Sequence, residues 1–222
     1  MTSLPYRLNV PRRWIFWSVL LFAVTFAVGF LQKLLPALQW GTFNIALNTA
    51  NSPFADWLAR VLDSVNQVAV VAVILLIVVA VLGFGTRLGL LRGVGTCVAI
   101  GLGWVTTLAV KTTINQARPE FDLRHPLDLE VATKSFPSGH VVFVAALVAG
   151  LVWATHRSMT RTILFVLGSI LILTVAWSRL YLGVHYPLDV IAGVLNGVAG
   201  YILVAGLWNL AAGLVLPSSG RH

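Results

Sequence analysis

Six long apolar runs take up most of this 222-residue chain, and they leave little sequence from which to build anything but a membrane domain. A helix needs roughly 17 to 25 predominantly apolar residues to cross a hydrocarbon core of about 30 Å. The runs fall at about 14–35, 67–84, 94–110, 141–155, 162–177 and 187–214; the fourth and fifth are short and the sixth is long. Charged residues make up only 10% of the chain, against about 25% in soluble domains. With 58% apolar residues and a mean hydropathy of +0.90, an ordinary soluble domain is excluded. The expected fold is all-α: a polytopic six-transmembrane-helix bundle, with a short extracytoplasmic amphipathic helix argued below.

The first run follows Arg12 and Arg13 but is longer than a signal-peptide core and has no clear small-residue cleavage site, so it is read as a retained membrane helix. The one cysteine, Cys97, falls inside the third run, where a small buried hydrophobe is the expected role, and a single thiol forms no intrachain disulfide. With both termini placed in the cytoplasm, the inner segments carry Arg7, Arg12, Arg13, Arg87, Arg92, Arg157, Arg161 and Arg221 and no acidic residue. The outer segments carry Lys33, Arg60, Lys111, Arg118, Arg124, Lys134 and Arg179, balanced by Asp56, Asp63, Glu120, Asp122, Asp128, Glu130 and Asp189. The net charge of +8 then lies on the inner side, which is the positive-inside pattern rather than a nucleic-acid surface.

No repeat, low-complexity tract or long linker divides the chain, so residues 1–222 are expected to form one membrane domain. Two longer outer stretches stand out, 36–66 and 111–137. In the first, apolar positions from Asp56 onward recur at helical spacing, as in a short amphipathic helix lying at the membrane face. Such a helix serves either as a structural cap or as a wall that guides a lipid.

Polar residues gather at the outer ends of the runs. Lys111 ends the third, His140 starts the fourth, Arg179 ends the fifth, and His185 and Asp189 start the sixth, so alternating topology brings them to one depth. Charges held near hydrocarbon cost at least a few kcal/mol unless paired or hydrated, and their clustering marks a functional site. The plainer reading, cations snorkelling to headgroups, covers each residue singly but not the set. Lys111 and Arg118 lie seven apart, two helical turns, and Pro119 is expected to end the helix at Arg118 and free its guanidinium. Arginine grips phosphate oxygens in a bidentate fork and lysine supplies a point charge.

Pro137-Ser138-Gly139-His140 directly precedes an apolar run and reads as a helix start. The N–H groups of Ser138, Gly139 and His140 are expected to be unpaired there and suited to an anion. Ser138 is also readable as a simple N-cap, which leaves His140 unexplained. His185 and Asp189 are four apart, with Pro187 suited to the first helical position and Tyr186 to the cap. A carboxylate on one ring nitrogen fixes the tautomer and sharpens the other nitrogen as a nucleophile.

The pattern Lys111-x6-Arg118-Pro119, Pro137-Ser138-Gly139-His140 and Ser178-Arg179-x5-His185-x3-Asp189 resembles the signature of the type 2 phosphatidic acid phosphatase superfamily, the lipid phosphate phosphatases. Every signature position is filled, and length and layout are similar to bacterial members acting on phosphatidylglycerophosphate or undecaprenyl pyrophosphate. The resemblance implies that His185 attacks phosphorus to give a phosphohistidine and that Asp189 orients it. It implies that His140 protonates the departing oxygen and later activates water. Lys111, Arg118, Ser138, Gly139 and Arg179 would hold the phosphoryl oxygens. It implies no metal and no other cofactor, a lipid phosphate or diphosphate as substrate, and a site on the outer face of the cytoplasmic membrane.

Other readings differ in what they leave unexplained. Passing the phosphoryl group to a second lipid uses the same residues. A non-catalytic lipid-phosphate transporter needs Lys111, Arg118 and Arg179 but gives no reason for His185 beside Asp189. Soluble vanadium-dependent haloperoxidases share the family's anion site, but this chain is too apolar to be one. A channel lacks its charged stripe, and neither nucleic acid nor an obligatory protein partner is called for.

Overall fold

Apolar periodicity without strand-like alternation gives helices throughout. The computed structural model describes residues 6–84, 89–127 and 134–215. Arg87, Asp128, Glu130 and Arg221, four of the charges used above to assign an orientation, lie outside the described residues. Eight α-helices follow in order among the described residues: α1 (Trp14–Leu34), α2 (Gly41–Thr49), α3 (Pro53–Asp63), α4 (Val68–Phe84), α5 (Leu90–Ile114), α6 (Gly139–Ala154), α7 (Ser158–Tyr181) and α8 (Pro187–Val215). Among the described residues there is no strand, only an isolated antiparallel bridge between Ala117 and Lys134.

Helices α1, α5, α7 and α8 are each long and apolar enough to cross a membrane; α3 and α4, bent by 76° at their junction, make a fifth span if counted together. Helix α6 is apolar but shorter, at 16 residues. Large side chains on the outside of the bundle, such as Leu34, Leu76, Leu173 and Leu214, stand well exposed. On this scale, such exposure suits lipid rather than water. The protein is a membrane protein.

Helix α8 is the hub, packed against α1, α5 and α6. In lipid, close backbone approach replaces hydrophobic collapse as the source of packing energy, and small residues permit it. A Cβ on Gly200 would stand 2.5 Å from the Gly103 carbonyl of α5, and one on Gly197 would collide with the Val142 carbonyl of α6. These contacts seat the middle of α8 on α5 and α6, and nearer the starts of α6 and α8 a Cβ on Gly193 would stand 3.1 Å from the Ser138 carbonyl. The Ser138 N–H donates to the Asp189 carbonyl across that junction at 3.0 Å.

The helix carrying Lys111 stops at Ile114, four residues before Arg118. Asn115 takes a left-handed conformation (φ 50°) and its N–H closes on the Lys111 carbonyl. Asparagine tolerates that conformation better than most residues, and it ends the helix before Pro119 can.

Candidate active site

Every residue of the three sequence motifs lies at one end of the bundle. His185 sits in the turn between α7 and α8, where Gly183 takes φ 67° and lets the chain reverse tightly. Asn44 of α2 fixes this turn by donating to the carbonyls of Leu180 and His185, both at 2.9 Å. Asp189 lies in the first turn of α8, fully buried, with Oδ2 3.2 Å from His185 Nδ1 and accepting from the Tyr186 N–H at 2.9 Å. Gln32 of α1 donates to Oδ1 at 2.8 Å.

The tautomer of His185 follows from its neighbours. A carboxylate only accepts, so Nδ1 carries the proton. Arg118 Nη1 approaches Nε2 at 3.3 Å, and a guanidinium only donates, so Nε2 presents its lone pair. Arg118 also donates to the Val184 carbonyl at 2.6 Å, which locates the guanidinium against the turn. Burial holds His185 well below the usual histidine range, and Arg118, Lys111 and Arg179 push it further in the same direction. The ring is neutral at ordinary pH and has an unprotonated nitrogen turned toward the cations.

Lys111, in the last turn of α5, donates to the carbonyls of Lys134 at 3.1 Å and Ser135 at 3.3 Å. Ser138 is the N-cap residue of α6, yet its hydroxyl makes no capping bond; it is buried and has no partner among the described residues. The N–H of Ser138 is not free, contrary to the sequence expectation, because it donates to Asp189 across the α6–α8 junction. Gly139 and His140, the first two residues of α6, carry N–H groups that the helix's own ladder does not use.

His140 Nε2 lies 2.8 Å from the Asp63 carbonyl, so this nitrogen carries a proton and donates it there. Arg179 is 1% exposed; its Nε donates to Ser178 Oγ at 3.2 Å and its Nη1 to Asp63 Oδ1 at 2.5 Å. The second contact of Arg179 Nη1, with His140 Nε2 at 3.3 Å, sets two donors face to face and is not a hydrogen bond in this tautomer.

Three polar residues here escape the sequence reading. Asp63 figures there only as an outer charge, and Gln32 and Asn44 have no role. A lone amide inside an apolar run is the available signal for Gln32. For Asn44 there is none, since the sequence does not mark α2 as a helix. Helix α3 does form, and polar bonds join the packing of Ala55, Ala59 and Leu62 in holding it. Tyr181 donates to Asp56, which also meets His125 Nε2 at 2.9 Å, and Asp63 reaches Arg179. Among the described residues no three His, Cys, Asp or Glu side chains gather closely enough to ligate a metal ion.

What these groups form is a buried cluster of cations at the end of a membrane helix bundle, with a neutral imidazole beside them. A sequence profile described as the PAP2 superfamily matches residues 92–211, over half of the chain and all of the motifs, and the chain belongs to that superfamily. An undecaprenyl-diphosphatase of Sulfolobus acidocaldarius is 35% identical over 114 residues, covering 50% of this chain and 50% of that protein. Phosphatidylglycerophosphatase B of Escherichia coli is 41% identical over 91 residues, 40% of this chain and 34% of that protein. The chain thus spans half or less of the length of these curated relatives. The fold is shared with a crystal structure of a transmembrane PAP2-type phosphatidylglycerolphosphate phosphatase from Bacillus subtilis. The TM-score is 0.71 at 20% identity, covering 91% of this chain and 98% of that one.

Proposed function

We propose that this protein is a membrane lipid phosphatase that removes a phosphoryl group from a lipid phosphate or diphosphate through a phosphohistidine at His185. The observation that carries the reading is the orientation of His185: Nδ1 is tied to a buried carboxylate, and Nε2 is unprotonated beside Arg118. A merely structural histidine has no need of a lone pair held against a guanidinium. The same guanidinium would draw a phosphoryl oxygen to within reach of Nε2.

The steps follow from the positions of the groups. Nε2 of His185 forms a bond to phosphorus as the ester or anhydride oxygen leaves, and Asp189 offsets the positive charge that develops on the ring. His140, protonated on both ring nitrogens once the phosphate's negative charge is beside it, gives its Nε2 proton to the leaving oxygen and is left neutral, and it then takes a proton from the water that cleaves the phosphohistidine. Arg118, Arg179, Lys111, the Ser138 hydroxyl and the first N–H groups of α6 hold the three phosphoryl oxygens. This donor set neutralises the transferring group without a metal.

The names of the relatives favour undecaprenyl diphosphate or phosphatidylglycerophosphate as substrates, with phosphatidic acid a close chemical equivalent. We further propose six crossings, α1 and α4 to α8, with both termini in the cytoplasm, the site on the extracytoplasmic face, and α3 as the amphipathic helix at that face. Exposed Phe54, Trp57 and Val61 on α3, opposite buried Ala55, Ala59 and Leu62, support the last point.

The test is phosphate release from a panel of lipid phosphates and diphosphates by purified protein in excess chelator, beside His185→Ala. Release that vanishes in the variant is expected. If folded protein binds these lipids and releases no phosphate from any of them, the phosphatase reading fails.

A further inference from the structure

Asp63 belongs to none of the motifs, yet it touches two site groups, Arg179 and His140. It ends α3, at the 76° bend into α4, and meets two groups assigned above to the phosphoryl group. Its carboxylate takes Nη1 of Arg179 at 2.5 Å, and its main-chain carbonyl takes the Nε2 proton of His140 at 2.8 Å. One turn earlier, the Ala59 carbonyl lies 3.4 Å from Arg179 Nη2. The end of α3 therefore offers an anionic oxygen to the phosphate-gripping arginine and a neutral oxygen to the proton donor. A bound phosphate ester would offer the same pair, with its non-bridging oxygen on Arg179 and its bridging oxygen on His140.

We propose that Asp63 takes the place of the substrate phosphate against Arg179 and His140, and so sets the protein's affinity for phosphoryl groups. A carboxylate and a phosphate both at hydrogen-bond distance from Nη1 of Arg179 repel each other. The incoming phosphate, carrying the larger charge, displaces the carboxylate. Asp63 is placed for that exchange, since its side chain is 28% exposed while that of Arg179 is 1% exposed. The displaced carboxylate turns out to water at the helix end, whereas the arginine stays buried and needs an anion at all times. Asp63 is thus a positioning residue that keeps Arg179 and His140 in their working geometry between turnovers and competes with every ligand that enters.

The inference rests on Arg179 and His140 handling the phosphoryl group, as in the proposed function. The test is calorimetric titration of purified protein with inorganic phosphate, which needs no turnover, together with KM and kcat for the best lipid substrate. Asp63→Asn keeps the shape and the main-chain carbonyl but removes the competing charge. Phosphate should bind about tenfold or more tightly, with KM lowered alongside, while Asp63→Glu, which keeps the charge, should show no such gain. Unchanged or weaker phosphate binding in Asp63→Asn overturns the proposal, because a merely supporting residue loosens the site when altered. Should Asp63→Asn not fold, a structure of the wild type with tungstate decides. Asp63 released from Arg179 supports the exchange, and Asp63 still bonded to it beside the bound anion refutes it. Tighter phosphate binding without lipid hydrolysis would leave this inference standing and sink the phosphatase reading. Lipid hydrolysis with unaltered affinity in Asp63→Asn would do the reverse.

Discussion

Replacing Asp189 by asparagine separates two jobs of that carboxylate, holding the His185 tautomer and supplying negative charge. In a serine-protease triad the same substitution costs about 10⁴ in kcat because the amide donates to the histidine and selects the wrong tautomer. Here the surroundings prevent that. The oxygen that meets His185 Nδ1 also accepts the Tyr186 N–H at 2.9 Å, and a backbone N–H can only donate. The amide oxygen of the introduced asparagine must therefore occupy that position, and its NH₂ must face Gln32. Gln32 can turn its own amide to accept, because its Oε1 has no partner among the described residues. The tautomer survives and only the charge is lost.

The pair is charged only as the ring becomes phosphorylated, so the cost of removing one charge of a buried pair, about 3 to 5 kcal/mol and nearer the lower end with both hydrogen bonds retained, falls on the transition state. We expect kcat to fall on the order of 10² to 10³, with the fold intact and KM little changed. The assay is single-turnover phosphate release, with the pH dependence compared between the two proteins. Turnover near that of the wild type would refute a charge role for Asp189. Loss as complete as in His185→Ala would refute the tautomer argument.

The remaining predictions address other parts of the structure. Burial and three cations hold His185 well below the ordinary histidine value of 6.5, so its nucleophilic neutral form persists as pH falls through that value. The acid limb of kcat/KM should lie well below pH 6.5, and a limb centred there would contradict the environment described. Gly197→Ala places a methyl against the Val142 carbonyl and should destabilise the α6–α8 contact by about 1 to 3 kcal/mol, read from denaturant titration in detergent; undiminished stability would refute that packing. Arg118→Lys keeps the charge but loses the planar guanidinium, whose Nη1 meets both the Val184 carbonyl and His185 Nε2, and kcat/KM should drop by roughly 10 to 100-fold; full activity would show that a point charge suffices.

Much of this architecture is legible in the sequence, for reasons that also define where reading stops. Apolarity locates α1, α4, α5, α6, α7 and α8, but it truncates α7, read as 162–177 and observed as Ser158–Tyr181. A hydropathy criterion stops at Arg161 and Ser178, whereas the backbone hydrogen bonds run on through both. The motif residues converge because helices that alternate in direction return their ends to the same depth. What the motifs do not convey is the supporting polar set. Gln32, Asn44 and Asp63 lie 157, 141 and 116 residues from the groups they hold, Asp189, His185 and Arg179 respectively. No local pattern encodes such a distance. The helix end at Asn115 is misjudged because Pro119 is the stronger punctuation mark in sequence, while the asparagine acts first in the chain.

The central claim is that His185 becomes covalently phosphorylated. Its most direct test is rapid quenching of the protein with a labelled lipid phosphate or diphosphate at neutral pH, followed by peptide mapping under alkaline conditions that preserve phosphohistidine. The account predicts label on the peptide bearing His185, formed faster than the lipid is turned over and absent from His185→Ala. Steady release of phosphate with no label on that peptide, or with label on another side chain, would contradict it.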